Sequence, residues 1–429
     1  MKKYLIYTIS FLVVLYIFVI LLNFDILSSA TYTYIREWYN IIPNPYYELV
    51  LGLLVYIIFT FFIALFLPKY LIFWIIKGFV TLFIMILQEY GRVLDSALYY
   101  TEALYNIQAH PFGVQSSNNI MHFNYIFSYI VGDSYYSLKM KDSLIGFFAL
   151  IIFYKSYLLI VINENIQINF KQDSFIYWIF LLPSLLFWSS ILGKDPLNLF
   201  VMSIFIYFNL KLLYKVKVLY IFMIILAIFL ASFIRSWYPL IMVVGMGLYY
   251  TKLNSIKNIL ILIILLPFIY ILLHEFMKMF NIASFDQVFS TMNMVSKGFS
   301  HGNSAVETNT INNFSDYLYY FIPNSFTALF RPMLYEVRNP FALLSAIENT
   351  ILLYLFLKYI LFNLKLIFYS KPLKILFFIL VAWLMFYVIP SQGNLGTTIR
   401  FKLQVLPIIL IIIFLIKNIN LTKRIKNNE

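Results

Sequence analysis

Residues 48–67 read ELVLGLLVYIIFTFFIALFL, twenty residues in which only the first is charged. A helix of this length rises about 30 Å, which matches the hydrocarbon thickness of a bilayer. The segment contains no proline and no second charge to interrupt it. The stretch therefore predicts a helix that crosses a membrane.

The same apolar pattern recurs along the whole chain. It predicts about twelve spans, at 4–23, 48–67, 71–88, 143–162, 174–192, 196–214, 217–234, 238–251, 257–276, 341–361, 375–390 and 403–417. The first span follows Met1-Lys2-Lys3 and is longer than the apolar core of a cleaved signal peptide, so we interpret it as uncleaved.

Composition supports the same fold class. Hydrophobic residues make up 62% of the 429 residues and charged residues 11%, whereas a soluble domain averages about 25% charged residues. We therefore predict an all-α, polytopic integral membrane protein in which residues 1–429 form one membrane-embedded domain. The chain has no cysteine, which excludes disulfides and a cysteine nucleophile. Its four histidines lack the ligand spacing of a zinc site, so no zinc site is predicted and no residue is assigned as a metal ligand.

Lysine positions predict the orientation, because short cytoplasmic loops are enriched in basic residues. With both termini in the cytoplasm, most lysines fall in cytoplasmic turns, among them Lys69, Lys215 and Lys371. Two long segments, 89–142 and 277–340, are then outer loops. We leave open whether residues 119–133 form a re-entrant helix, an interfacial helix or a further crossing.

Arginines break this pattern. Six of the seven lie on the outer face in this topology: Arg36, Arg92, Arg235, Arg331, Arg338 and Arg400. The planar guanidinium binds phosphate or carboxylate through two parallel hydrogen bonds. We therefore predict a pocket for an anionic substrate, formed by Arg92, Lys194, Arg235, Arg331, Arg338 and Arg400. In the alternative interpretation these side chains reach lipid headgroups.

Few carboxylates lie outside. If residues 89–95 are helical, Glu89, Arg92 and Asp95 share one helix face. Asp95 is then a candidate general base towards a hydroxyl, and Asp195, which follows Lys194 in a tight turn, is the second candidate. The alternative is an ordinary surface ion pair between Arg92 and its acidic neighbours.

Four short patterns run through most of the chain. They are Asp95 in an early outer loop, Pro183-Ser184 to Phe187-Trp188-Ser189-Ser190 and Lys194-Asp195, the pair Arg331-Pro332, and Asn394-x-Gly-Thr-x-x-Arg400. Together they resemble bacterial membrane glycosyltransferases of the C-type superfamily and the related O-antigen and capsule polymerases. The resemblance implies a sugar donor linked to polyprenyl phosphate or pyrophosphate, used at the outer face of the bacterial inner membrane.

The chain departs from these proteins at one point. Many of them place two acidic residues close together in the first outer loop, whereas Asp95 has no adjacent acidic partner. This leaves open which residue is the base and whether a divalent metal is required; no other cofactor is implied. The expected partners are the lipid-linked glycan, the bilayer and other polysaccharide-assembly proteins, and no nucleic acid.

Other functions compete with polymerisation of a surface polysaccharide. A flippase for lipid-linked oligosaccharides also has about twelve spans, but is expected to carry charges at mid-membrane depth and short loops on both faces. A secondary transporter is less favoured because no repeated halves are visible. An acyltransferase lacks a convincing pair of histidine and aspartate. The sugars and the linkage stay open.

Overall fold

A computed structural model describes residues 11–12, 29–40, 44–91, 93–168, 174–250, 270, 274, 277, 286–300 and 304–428. Apart from one bridge between Ala305 and Asn394, every regular element in these residues is helical. The prediction of an all-α protein is therefore confirmed for the part of the chain that is described.

Nineteen α-helices are described. In chain order they are α1 (Ala30–Tyr39), α2 (Pro45–Phe66), α3 (Leu71–Phe79), α4 (Met85–Gly91), α5 (Asp95–Tyr105), α6 (Ser116–Val131), α7 (Tyr135–Asn163), α8 (Phe175–Leu181), α9 (Pro183–Trp188), α10 (Lys194–Tyr214), α11 (Val218–Ile234), α12 (Tyr238–Tyr250), α13 (Asp286–Phe299), α14 (Phe314–Phe330), α15 (Pro340–Leu355), α16 (Leu364–Tyr369), α17 (Lys371–Tyr387), α18 (Leu395–Lys402) and α19 (Leu406–Asn428). A π-helical stretch joins α3 to α4, and a second one follows α15.

Several of these helices can cross a membrane. Four are long and apolar enough: Tyr46–Phe66, Tyr135–Asn163, Lys194–Tyr214 and Pro340–Tyr369. A fifth candidate is the pair Leu395–Lys402 and Leu406–Asn420, which is bent by 59°. The chain therefore has the helices of a membrane protein, while the total of about twelve spans stays a prediction. The predicted spans 4–23 and 257–276 fall almost entirely outside the described residues.

Two predicted spans differ from the helices observed. The segment 174–192 is broken at Leu182, which is extended because it precedes a proline, and α9 then starts with Pro183. The span predicted at 143–162 begins at Tyr135, so the last part of the predicted loop 89–142 is helical. Residues 119–133 fall largely within α6, a helix of 16 residues that ends before Gly132.

The chain divides into two compact units. Unit 1 comprises Met1–Ile151, Leu185–Val201 and Phe233–Arg235, and unit 2 comprises Ile152–Ser184, Met202–Ser232 and Ser236–Glu429. In unit 1 the rings of Trp74 and Phe147 meet at 5.3 Å between centroids. In unit 2 α12 and α17 pack so closely that a Cβ on Gly245 would lie 2.9 Å from the Cα of Ile379.

Candidate functional site

The interior of unit 1 holds many charged side chains. Glu48, Lys77, Glu89, Lys139, Lys141, Asp142, Asp195 and Arg235 are all buried. Burying a charge is costly unless it is paired and hydrogen-bonded, and ionisable residues within membrane segments are usually functional. This concentration of buried charge makes the interior of unit 1 a candidate functional site.

Two predicted site residues begin α10, and a third contacts one of them. The guanidinium Nη2 of Arg235 donates to Asp195 Oδ1 at 3.2 Å, and Asp195 is only 2% exposed. Lys194 Nζ donates to the hydroxyls of Ser116 and Ser117, at 3.1 and 2.9 Å, where α6 begins. The structure therefore pairs Arg235 with Asp195, which comes from a separate part of the sequence, while the neighbouring Lys194 side chain contacts α6.

Residues of α3 and α7 contact the turn at 189–193, which precedes α10. Lys77 Nζ donates to the hydroxyls of Ser189 and Ser190, at 2.6 and 2.7 Å. The N–H of Gly193 donates to Asp142 Oδ2 at 2.9 Å, and its φ of +139° favours glycine. The position of Lys194 and Asp195 is therefore imposed by α3 and α7 as well as by their own helix.

The turn before α10 also packs closely against Gly146 of α7. This contact leads to a prediction about stability. A Cβ at Gly146 would lie 2.1 Å from the carbonyl oxygen of Ser189, which is backbone and cannot rotate away. We expect Gly146→Ala to lower the free energy of unfolding by about 1–3 kcal/mol. Gly247→Ala is the control, because no atom lies within 4 Å of its Cβ, and it should be neutral or slightly stabilising. Thermal unfolding in detergent measures both, and equal stability of the two variants would contradict the close contact.

The other candidate carboxylate, Asp95, lies in a different helix. It is exposed and is the first residue of α5. The condition that residues 89–95 form one helix is not met, because α4 ends at Gly91 and α5 begins only at Asp95. Arg92 lies outside the described residues. Glu89 is buried, and both its oxygens accept from Lys139 Nζ at 2.9 Å.

Unit 2 contains the other predicted arginines. Arg331 Nε donates to Glu336 Oε1 at 2.8 Å, and Arg338 is exposed. Burial alone would raise the pKa of the Glu336 carboxyl, but hydrogen bonds from Arg331 and from the N–H of Met333 hold it below its ordinary value. Arg400 is half-buried in α18, which Asn394 caps by accepting from two backbone N–H groups. An anion-binding role for these arginines stays a prediction.

Several buried charged residues were not indicated by the sequence patterns. In unit 1 they are Lys77, Lys139 and Asp142, and in unit 2 Glu348 accepts from the N–H of Ser184 at 2.8 Å while Lys402 Nζ contacts the side-chain oxygen of Asn349. The sequence of α7 does contain a pattern that indicates a common helix face for these polar residues, because residues 135, 139 and 142 are spaced i, i+4 and i+7. The boundary predicted at residue 143 concealed it.

Cations at a helix N-terminus can hold a phosphate group. The first turn of α10 carries Lys194, with Arg235 beside it, and the amide groups of such a turn add partial positive charge. Among the described residues, no group of three or more histidine or acidic side chains could hold a metal ion. No known family model, curated protein or solved structure matches the chain.

Proposed function

We propose that the protein is a bacterial inner-membrane glycosyltransferase that polymerises the repeat units of a surface polysaccharide. Its donor is a glycan linked to polyprenyl phosphate or pyrophosphate. The observation that carries the proposal is a group of neighbouring residues at the start of α10, where Arg235 pairs with the buried Asp195 and Lys194 directly precedes Asp195 in the chain. Such a grouping suits a phosphate ester in a membrane-embedded setting.

In the proposed reaction a sugar hydroxyl of one lipid-linked unit attacks the anomeric carbon of another. The bond between that carbon and the phosphate oxygen breaks, and the lipid (pyro)phosphate leaves with the electron pair. Lys194 and Arg235 stabilise the charge that develops on the leaving group. Asp95, the exposed carboxylate at the start of α5, accepts the proton of the attacking hydroxyl and returns it to solvent.

A flippase for lipid-linked oligosaccharides is the second candidate, and one observation favours it. The pair Lys139–Glu89 and the neighbours Lys141 and Asp142 are buried in or against a helix long enough to span the membrane. Charged residues within membrane helices are typical of transport pathways. In a glycosyltransferase the same pairs would have a structural role.

The two candidates are separated by deleting the gene and examining the polysaccharide on a gel. Loss of a polymerase leaves material capped with single repeat units, and loss of a flippase leaves none. Purified protein in liposomes, given lipid-linked glycan extracted from the deletion strain, should lengthen the glycan. Transport across the bilayer without any lengthening would contradict the enzyme.

The proposal requires one orientation, which reporter fusions test. Fusions after residues 69, 215, 255 and 370 should report the cytoplasm, and fusions at 300 and 395 the outer face. The reason is the lysine bias of the short loops together with the proposed twelve spans. A cytoplasmic signal at residue 300 would contradict a site at the outer face.

A further inference from the structure

One face of α7 contacts both ends of the candidate site. Tyr135, Lys139 and Asp142 are spaced i, i+4 and i+7, so they lie on the same side of the helix. All three are fully buried. Gly146, which contacts the turn before α10, continues the same row. The row therefore packs against the protein rather than facing lipid.

The first contact reaches Asp95. The hydroxyl of Tyr135 lies 2.7 Å from Glu89 Oε1 and 2.7 Å from Ser96 Oγ. A phenol has one hydrogen and an ionised carboxylate only accepts, so Tyr135 donates to Glu89 and accepts from Ser96. Lys139 supplies the countercharge of Glu89. Ser96 directly follows Asp95 in the first turn of α5, so this chain of hydrogen bonds anchors the helix end that carries Asp95.

The second contact reaches Lys194 and Asp195. Asp142 Oδ2 accepts the N–H of Gly193, the residue immediately before Lys194. Lys141 Nζ lies 2.9 Å from the other oxygen of Asp142. Seven residues of helix separate Tyr135 from Asp142, which amounts to about 10 Å along the axis. One helix thus anchors both segments, which also meet directly, because a Cβ on Gly193 would lie 3.0 Å from the Tyr99 ring of α5.

We propose that this face of α7 is the positioning element of the site. Tyr135 acts through Ser96 on the position of Asp95, and Asp142 acts through Gly193 on the position of Lys194 and Asp195. The inference rests on the proposed glycosyl transfer, since it concerns the separation of the base from the group that holds the phosphate. Misplacing a catalytic group by about 1 Å can cost 10²-fold in rate, so the effect is measurable.

Tyr135→Phe tests the first contact, with Tyr136→Phe as the matched control. Both remove one hydroxyl from a buried tyrosine of α7, but only Tyr135 hydrogen-bonds to Ser96. Wild type and variants are compared in liposomes on lipid-linked glycan extracted from the deletion strain. We expect Tyr135→Phe to lower kcat by about tenfold or more with KM unchanged, and the Tyr136→Phe rate to equal that of wild type. The unfolding temperature of Tyr135→Phe should also fall, because Glu89 and Ser96 each lose a buried hydrogen bond, so the rates are compared well below it.

A double-mutant cycle separates positioning from a general loss of structure. If Tyr135 acts through Ser96, then Ser96→Ala and the double variant should show the same loss of kcat as Tyr135→Phe alone. If Tyr135→Phe fails to fold, Ser96→Ala still removes the contact from its other side. Additive losses, or a Tyr135→Phe rate equal to that of wild type, would overturn the positioning role.

The contact of Asp142 with Gly193 is tested by comparing two substitutions of Asp142. Asp142→Asn keeps an oxygen that can accept from Gly193, whereas Asp142→Ala does not. We expect the alanine variant to raise KM for the lipid-linked glycan at least tenfold and the asparagine variant to restore most of the affinity. Equal KM values would overturn this contact as a positioning device. Wild-type protein that transfers no sugar would instead overturn the proposed function, and the inference with it.

Discussion

Arg235→Ala is expected to abolish the polymer. The Arg235 guanidinium is buried beside Asp195 at the start of α10, where the proposed leaving group would gain negative charge. Removing one preorganised charge of this kind typically lowers kcat by about 10²- to 10³-fold. The polysaccharide gel should therefore show only single-unit material, and transfer in liposomes should fall by a similar factor.

Arg235→Lys and Arg36→Ala accompany this variant as comparisons. The lysine keeps the positive charge but cannot make two parallel hydrogen bonds, so we expect poor rescue. Arg36 is also on the outer face in the predicted topology, but its side chain is exposed on α1. Its replacement should leave the polymer intact.

Loss of activity could also follow from loss of the protein, because Arg235→Ala removes the partner of a buried carboxylate. The protein level in membranes must therefore be measured. The lysine variant retains a positive charge beside Asp195, so its loss of activity cannot be attributed to an unpaired buried carboxylate. The sequence predicts the same loss of polymer for Arg331→Ala and Arg400→Ala. Normal polymer in all three alanine variants would contradict a phosphate-binding role and favour contacts with lipid headgroups.

Asp95→Asn is expected to lower transfer by roughly 10²-fold or more, the usual scale for the loss of a general base. The substitution keeps the shape of the side chain and removes its ability to take a proton. Asp95 is exposed and asparagine has nearly the same shape, so the protein should fold as before. The initial rate of glycan lengthening in liposomes measures the effect.

Asp195→Asn is the informative comparison. Asp195 is buried and paired with Arg235. Its replacement should therefore weaken the contact with Arg235 and lower the stability of the protein. Glu37→Gln, at an exposed position of α1, controls for the loss of an outer carboxylate. A nearly normal rate for Asp95→Asn would remove this residue from the mechanism, and a loss confined to Asp195→Asn would make Asp195 the working carboxylate.

The class of fold could be predicted from the amino-acid sequence alone. The length and polarity of an apolar run are local properties, and a bilayer requires the backbone of each crossing to form its hydrogen bonds within the segment. For this reason the predicted spans that lie within the described residues, such as 48–67 and 196–214, are helical. The break before Pro183 is local as well, because a proline restricts the residue that precedes it.

Which charges are buried and which are paired could not be predicted in this way, because both depend on how the helices pack. Lys139 and Asp142 fall in a segment that hydropathy assigns to an outer loop, where they would be solvated, yet both are buried on α7. Their partners are distant in sequence: Glu89 is 50 residues from Lys139, and Gly193 is 51 residues from Asp142. Such pairs depend on which helices are neighbours, and the hydropathy of one segment contains no information about the segment that packs against it.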